Sequence, residues 1–99
     1  MQISYFLQDI HFEWDRKKAS QNLIKHGIPF NIAVECFFDP FLKYLDDDIR
    51  YDEVREKFIG MTKSSHLLIV VYTIRESDIF RIISARPATK RERKDYETQ

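Results

Sequence analysis

The sequence predicts an α+β protein in which two N-terminal helices pack on an antiparallel β-sheet and a short helix closes the chain. Three observations carry that expectation. Phe30, Ala33, Val34, Phe37 and Phe38 fall at i, i+3, i+4, i+7 and i+8, a broad apolar stripe at helical spacing. After Pro40 the period changes to two, and residues 67–74 are an almost unbroken apolar run rich in β-branched side chains, as in a strand buried on both faces. Thr89 followed by Glu92 forms a capping box that opens a last helix running to about Glu97. Helices gathered to one side of an antiparallel sheet make a layered α+β architecture.

Taken in order, residues 3–13 alternate loosely, and the latter part reads as a first strand through Ile10 and Phe12. Asp15 suits an N-cap, Ala19 and Leu23 lie four apart on one face of the following helix, and Gly27 suits its left-handed stop. Trp14, just before the cap, is placed to pack back on the first turn as a staple does. The second helix ends at Asp39-Pro40, since a residue before proline avoids the helical region. A short strand over 41–45, an acidic loop over 46–52 and a strand over 55–63 come next. Gly60 within that last strand marks a bulge or a close approach. A turn over 63–66 leads to the central strand, and a tight polar turn over 75–78 leads to its hairpin partner over 79–85. With no repeat, low-complexity tract or linker, residues 1–99 read as one domain.

Net charge is zero, with 16 basic and 16 acidic side chains, so the distribution of charge is what informs. Between Arg86 and Lys94 five basic residues face one acid, Glu92, whereas residues 43–56 are acidic on balance. A local field of this kind steers polyanions even on a neutral protein. A single cysteine, Cys36, excludes an intramolecular disulfide and a cysteine-based zinc site. Its neighbours Val34, Phe37 and Phe38 make it a buried apolar residue. The N-terminus lacks signal-peptide character and no segment approaches the ~20 apolar residues of a membrane span, so a cytoplasmic location is expected. No metal or cofactor is expected. His11, His26 and His66 lack ligand spacing, and Asp46-Asp47-Asp48 lacks the alternation and glycine of a calcium loop.

The basic residues of the hairpin and terminal helix are the candidate binding groups. A turn through Glu76-Ser77 places Arg75 opposite Asp78, Tyr72 opposite Arg81 and Leu67 opposite Arg86. Arg75 and Arg86 then share one face and Arg81 takes the other beside Tyr72, although a one-residue slip reverses every face. Lys90, Arg91, Arg93 and Lys94 crowd into little more than a helical turn, a surface for phosphate or for an acidic protein. Tyr96 either stacks on a base or anchors the helix to the sheet, with anchoring the favoured role.

Phe12-Glu13-Trp14-Asp15, Lys18-Ala19, Asn22, Lys25-His26-Gly27, Phe30, Ala33 and Phe38-Asp39-Pro40 together resemble the opening of the BrnT toxin family. Glu53-x-Arg55, Ile59-Gly60, Leu68-Ile69-Val70-Val71-Tyr72-Thr73, Arg75-Glu76 and Arg81-Ile82-Ile83-Ser84-Ala85-Arg86 resemble that family's sheet. Ala88-Thr89, Glu92-Arg93 and Tyr96 extend the likeness into the last helix, so it covers roughly 12–97. The resemblance implies a RelE-like fold and a toxin that cleaves RNA and halts translation. It also implies a BrnA-type antitoxin partner, whose ribbon-helix-helix region binds the operator DNA of the shared operon. Arg50-Tyr51 departs from the His-Ser pair the family often carries there, which removes a histidine at that place from the mechanism.

Cleaving RNA without a metal requires a base for the 2′-hydroxyl, positive charge on the phosphorane oxygens and a proton for the leaving oxygen. Arg75, Arg81 and Arg86, with Arg55 and Lys57 on a neighbouring strand, supply the charge, and the arginine fork matches phosphate geometry. Arg75 and Arg86 are the expected phosphate-stabilising pair. Glu53, Glu76 or a lysine are the candidate bases, and Tyr72 is a candidate acid if the face of Arg81 is the active one. Lys57, Lys90, Arg91, Arg93, Lys94 and Tyr96 are the expected RNA contacts. The alternative is a non-catalytic module that binds an antitoxin or nucleic acid and acts in operon repression.

Overall fold

The computed structural model describes residues 1–50 and 52–99. Tyr51, half of the Arg50-Tyr51 departure, lies outside the described residues. The strand expected in the latter part of residues 3–13 is one arm of a hairpin of β1 (Gln2–Leu7) and β2 (Ile10–Asp15). Gln8 and Asp9 turn it with φ of 50° and 65°, the two left-handed residues of a type I′ turn. Neither is glycine, so composition alone gives no turn signal there.

Helix α1 (Arg16–His26) starts where the Asp15 carboxylate accepts the Lys18 N–H at 3.0 Å and stops at Gly27, φ 72°. Only half of the expected Ala19–Leu23 stripe serves as its anchor: Ala19 packs on the core, whereas Leu23 is half exposed and the buried residue is Asn22. The predicted second helix is one α turn, α2 (Phe30–Ala33), which tightens into a 3-10 segment, Val34–Phe38. Together they deliver Phe30, Ala33, Val34 and Cys36 to the core.

Four strands follow: β3 (Lys43–Arg50), β4 (Glu53–Met61), β5 (Leu67–Arg75) and β6 (Ile79–Pro87). The acidic stretch over 46–50 is therefore strand rather than loop, with an irregularity between Leu45 and Asp48. β3 is an edge strand, where charged side chains stay in water and discourage further pairing. Gly60 marks a close approach: a Cβ there would stand 2.8 Å from the Cys36 Cβ and 2.9 Å from the Cys36 carbonyl.

The sheet order is β1-β2-β6-β5-β4-β3. It is mixed and not purely antiparallel, because β2 and β6 run parallel through His11↔Ile79, Phe12↔Phe80 and Glu13↔Arg81. Local patterns reveal hairpins but not this long-range closure, which sets strands 64 residues or more apart side by side. The pairing ends at Glu13, since β2 soon gives way to α1. Asn22 takes over the vacated edge: its amide accepts the Ala85 N–H at 3.1 Å and donates to the Ala85 carbonyl at 2.9 Å.

The helices also fail to segregate to one side. α1, α2 and the 3-10 segment belong to the face that carries Phe12, Phe58, Val70, Tyr72 and Ile82. The last helix, α3 (Lys90–Glu97), docks on the opposite face, where Ala88 and Tyr96 pack on Ile59, Leu67 and Ile69. A β5 buried on both faces requires cover on both, and α3 provides the second layer.

Candidate nucleic-acid interface

β5 and β6 meet through three loop residues, Glu76, Ser77 and Asp78, with Arg75 opposite Ile79. That one-residue difference from the expected turn puts Arg81 opposite Thr73 instead of Tyr72 and moves it to the face of Arg75. A bulge between Tyr72 and Val71 leaves Ile83 without an opposite residue, and Arg86 comes to lie opposite Ile69. Arg75, Arg81 and Arg86 consequently share one face, correcting the split between two faces. Alternation along β4 adds Glu53, Arg55 and Lys57 to it, since Lys57 lies opposite Val71.

This is the face that α3 covers only at one end. Its open part is ordered in rows across the strands. One row runs Phe6, His11, Ile79, Arg75, with Glu53 beyond at 3.7 Å from Arg75. The next runs Ser4, Glu13, Arg81, Thr73. A third holds Ser84, Val71 and Lys57, and a fourth, under α3, holds Arg86, Ile69 and Ile59.

The cations on this face differ in how they are held. Arg86 makes a two-pronged pair with Glu92, both N···O distances 2.8 Å. Glu92 also accepts the Thr89 N–H at 2.8 Å. The guanidinium beside it, chiefly, pulls the Glu92 carboxyl down to about 2. Arg81 is 15% exposed and its Nη1 donates to Glu13 at 2.9 Å and to Gln2 at 2.6 Å. Both arginines are thus locked in place. Arg75 and Arg55, by contrast, straddle one carboxylate, Glu53, at 3.7 and 3.6 Å, beyond hydrogen-bond range. Arg55 Nε is buried with no hydrogen-bond partner among the described residues. Lys57 has no carboxylate within ion-pairing distance among them either. A buried guanidinium N–H without a close acceptor is unfavourable, and at 3.6 Å the Glu53 carboxylate satisfies Arg55 only weakly.

Tyr72 does not join this face. It is buried on the helix-packed side against Phe37 and Phe58, and burial, then Glu56, pushes its phenol far above the usual range. An apolar cavity of about 190 Å³ lies on that side among Phe12, Phe37, Phe58, Tyr72 and Phe80, away from the cations. Glu76 sits exposed in the hairpin loop. Tyr96 is the anchor of α3: its hydroxyl donates to Asp39 at 2.6 Å and its ring packs on the sheet. Lys90, Arg91, Arg93 and Lys94 are exposed along α3. Sequence reasoning missed Glu13, Phe6 and His11 as neighbours of the arginines. The only signal for them was strand alternation in β1 and β2, which places them opposite the buried Phe12.

The profile of the family described as the ribonuclease toxin BrnT of type II toxin–antitoxin systems matches residues 14–92. The match begins within β2, so β1 and its turn precede it. The crystal structure of the Brucella abortus ribonuclease toxin BrnT superposes with a TM-score of 0.55 at 23% identity, covering 78% of this chain and 94% of that one. At that identity the likeness establishes the fold. No curated protein matches the chain in sequence. Among the described residues, no helix is long and apolar enough to cross a membrane.

Proposed function

We propose that this chain, which belongs to the BrnT family of ribonuclease toxins of type II toxin–antitoxin systems, cleaves RNA on the open face of its sheet. One observation carries the reading: Arg55, Lys57, Arg75, Arg81 and Arg86 stand on a single face although they come from three strands. Arg55 and Arg75, loosely held by Glu53, exchange that carboxylate for phosphate oxygens and stabilise the phosphorane charge. Lys57 adds a third cation beside them. Glu53, released from its two partners, is the group placed to accept the 2′-hydroxyl proton. Arg81 and Arg86 position the site through their carboxylate pairs and contribute field rather than direct contact. The exposed cations of α3, Lys90, Arg91, Arg93 and Lys94, track the RNA backbone, whose affinity is dominated by phosphate contacts.

On this reading the cleavage needs no metal, because guanidinium groups supply the charge that stabilises the transition state. Residues 1–99 act as one toxin unit in the cytoplasm, cutting messenger RNA and stopping translation. The antitoxin partner that a type II system implies is of the BrnA kind, with a ribbon-helix-helix region, and operator DNA is reached only through it. A second reading, a non-cleaving member that binds its antitoxin and acts in repression, is favoured by the occupancy of Arg81 and Arg86 by carboxylates.

Cleavage of a defined RNA by the purified chain in EDTA decides between them. Wild type should cut, and Arg55→Ala and Arg75→Ala should each lower the rate by about 100-fold, the scale seen when one preorganised oxyanion donor is removed. Folded variants that cut at the wild-type rate would sink the site assignment. A wild type that binds antitoxin and leaves RNA intact would establish the second reading.

A further inference from the structure

Phe6 is 65% exposed and lies near the turn end of β1, on the same face as the arginines. Its ring stacks on His11 of β2, with centroids 4.3 Å apart and planes 20° from parallel. His11 Nε2 is 3.3 Å from the Ser4 hydroxyl, which fixes the imidazole beneath the phenyl ring. The result is a flat aromatic platform with its outer side in water. It continues the row that ends in Arg75, three inter-strand steps or about 14 Å away, and it adjoins the row holding Arg81.

We infer that this platform is a base-stacking subsite of the RNA-binding face and that its substrate is a single-stranded segment. The inference rests on the ribonuclease reading and adds the form of RNA that the face takes. Bases in a duplex are already stacked on one another, whereas an unpaired base presents its π-face to an aromatic side chain. A charged groove that tracks phosphates beside an aromatic surface that stacks bases is the usual means of holding a single strand without demanding a sequence. Here Arg75 and Arg55 lie where the backbone of such a strand would run, and Phe6 lies where a neighbouring base would come to rest. Phe6 belongs to the segment that precedes the family match, so the subsite is argued from the N-terminal hairpin itself. The Phe6 ring can be removed with little consequence for the core, since it packs on His11 at the surface.

The test is binding of a fluorescein-labelled 2′-O-methyl oligonucleotide, which lacks the hydroxyl that cleavage needs, as a single strand and as a duplex. Phe6→Ala should weaken single-strand binding by about 5- to 150-fold, the range of one base–aromatic stack, while Phe6→Trp retains it and duplex binding stays unchanged. Circular dichroism and melting curves should show all variants folded as wild type. If wild type binds and cuts RNA and Phe6→Ala matches it in both, the subsite is overturned and the nuclease reading stands. If wild type neither binds nor cuts, both fall together. If Phe6→Ala loses antitoxin affinity and keeps RNA affinity, the platform belongs to a protein partner and the inference is overturned.

Discussion

Asn22 completes β6 as a strand would: its side-chain amide pairs with both the N–H and the carbonyl of Ala85, at 3.1 and 2.9 Å. The same Nδ2 donates to the Ile28 carbonyl at 3.0 Å, so one helical residue ties α1, the loop after it and the sheet together. Replacing it with alanine leaves the buried Ala85 groups without partners, which should destabilise the fold by about 2–3 kcal/mol. Urea denaturation at neutral pH measures this. Leucine should not restore stability, because the deficit is in hydrogen bonds and not in apolar contact.

Gly60 and Cys36 bring the 3-10 segment and the sheet into close approach. The Cys36 thiol donates to the Gly60 carbonyl at 3.4 Å, and burial pushes its pKa up to about 12. Gly60→Ala drives a methyl against Cys36 backbone and the Phe58 ring, and overpacking of this kind should cost about 1–3 kcal/mol. The melting temperature reports it. In the native wild type, Cys36 should resist iodoacetamide at neutral pH and react only once the chain is unfolded, since the thiolate is the reactive form.

The Arg86–Glu92 pair couples α3 to pH. Arg86 holds the Glu92 carboxyl at about 2 in the folded chain, against an ordinary value of 4.5. A carboxyl depressed on folding stabilises fully above its unfolded value and loses that contribution as pH falls toward its folded value. Stability should therefore decline between about pH 4.5 and 2, and Glu92→Gln should flatten that part of the profile. Glutamine keeps the reciprocal bond of the capping box to Thr89, so the helix itself should persist. Thermal melts across that range provide the comparison.

What could be read from the residues was local. Asp15 and Gly27 bound α1, Thr89 with Glu92 opened α3, and the apolar run ending at Ile74 marked a strand covered on both faces. Those features act over a few residues, through caps, φ preferences and alternation. The face of Arg81 was hidden because it depends on a single residue in the loop and is then restored for Arg86 by the bulge at Ile83. Glu76 and Ser77 adopt φ of 50° and 65° without the glycine that would have announced such a turn. The neighbourhood of Phe6, His11, Glu13 and Arg81 was hidden for another reason. It depends on β6 closing beside β2, a contact between distant segments with no local sign.

The difference between Arg75 and Arg86 gives a sharp test of which cations meet RNA. Arg75 is 48% exposed and touches Glu53 only at 3.7 Å, whereas Arg86 is held by two short bonds to Glu92. For single strands, each phosphate contact contributes about 0.7 to the slope of log affinity against log salt. Arg75→Ala should reduce that slope by about this amount and leave the melting temperature nearly unchanged. Arg86→Ala should do the reverse, lowering the melting temperature because Glu92 loses its partner and α3 its tether, with little change in slope. Titration of a single-stranded oligonucleotide between 50 and 200 mM salt, roughly the span over which such contacts show, separates the two. Equal slope changes would mean that phosphate displaces Glu92 from Arg86, making the terminal helix release its tether when RNA binds.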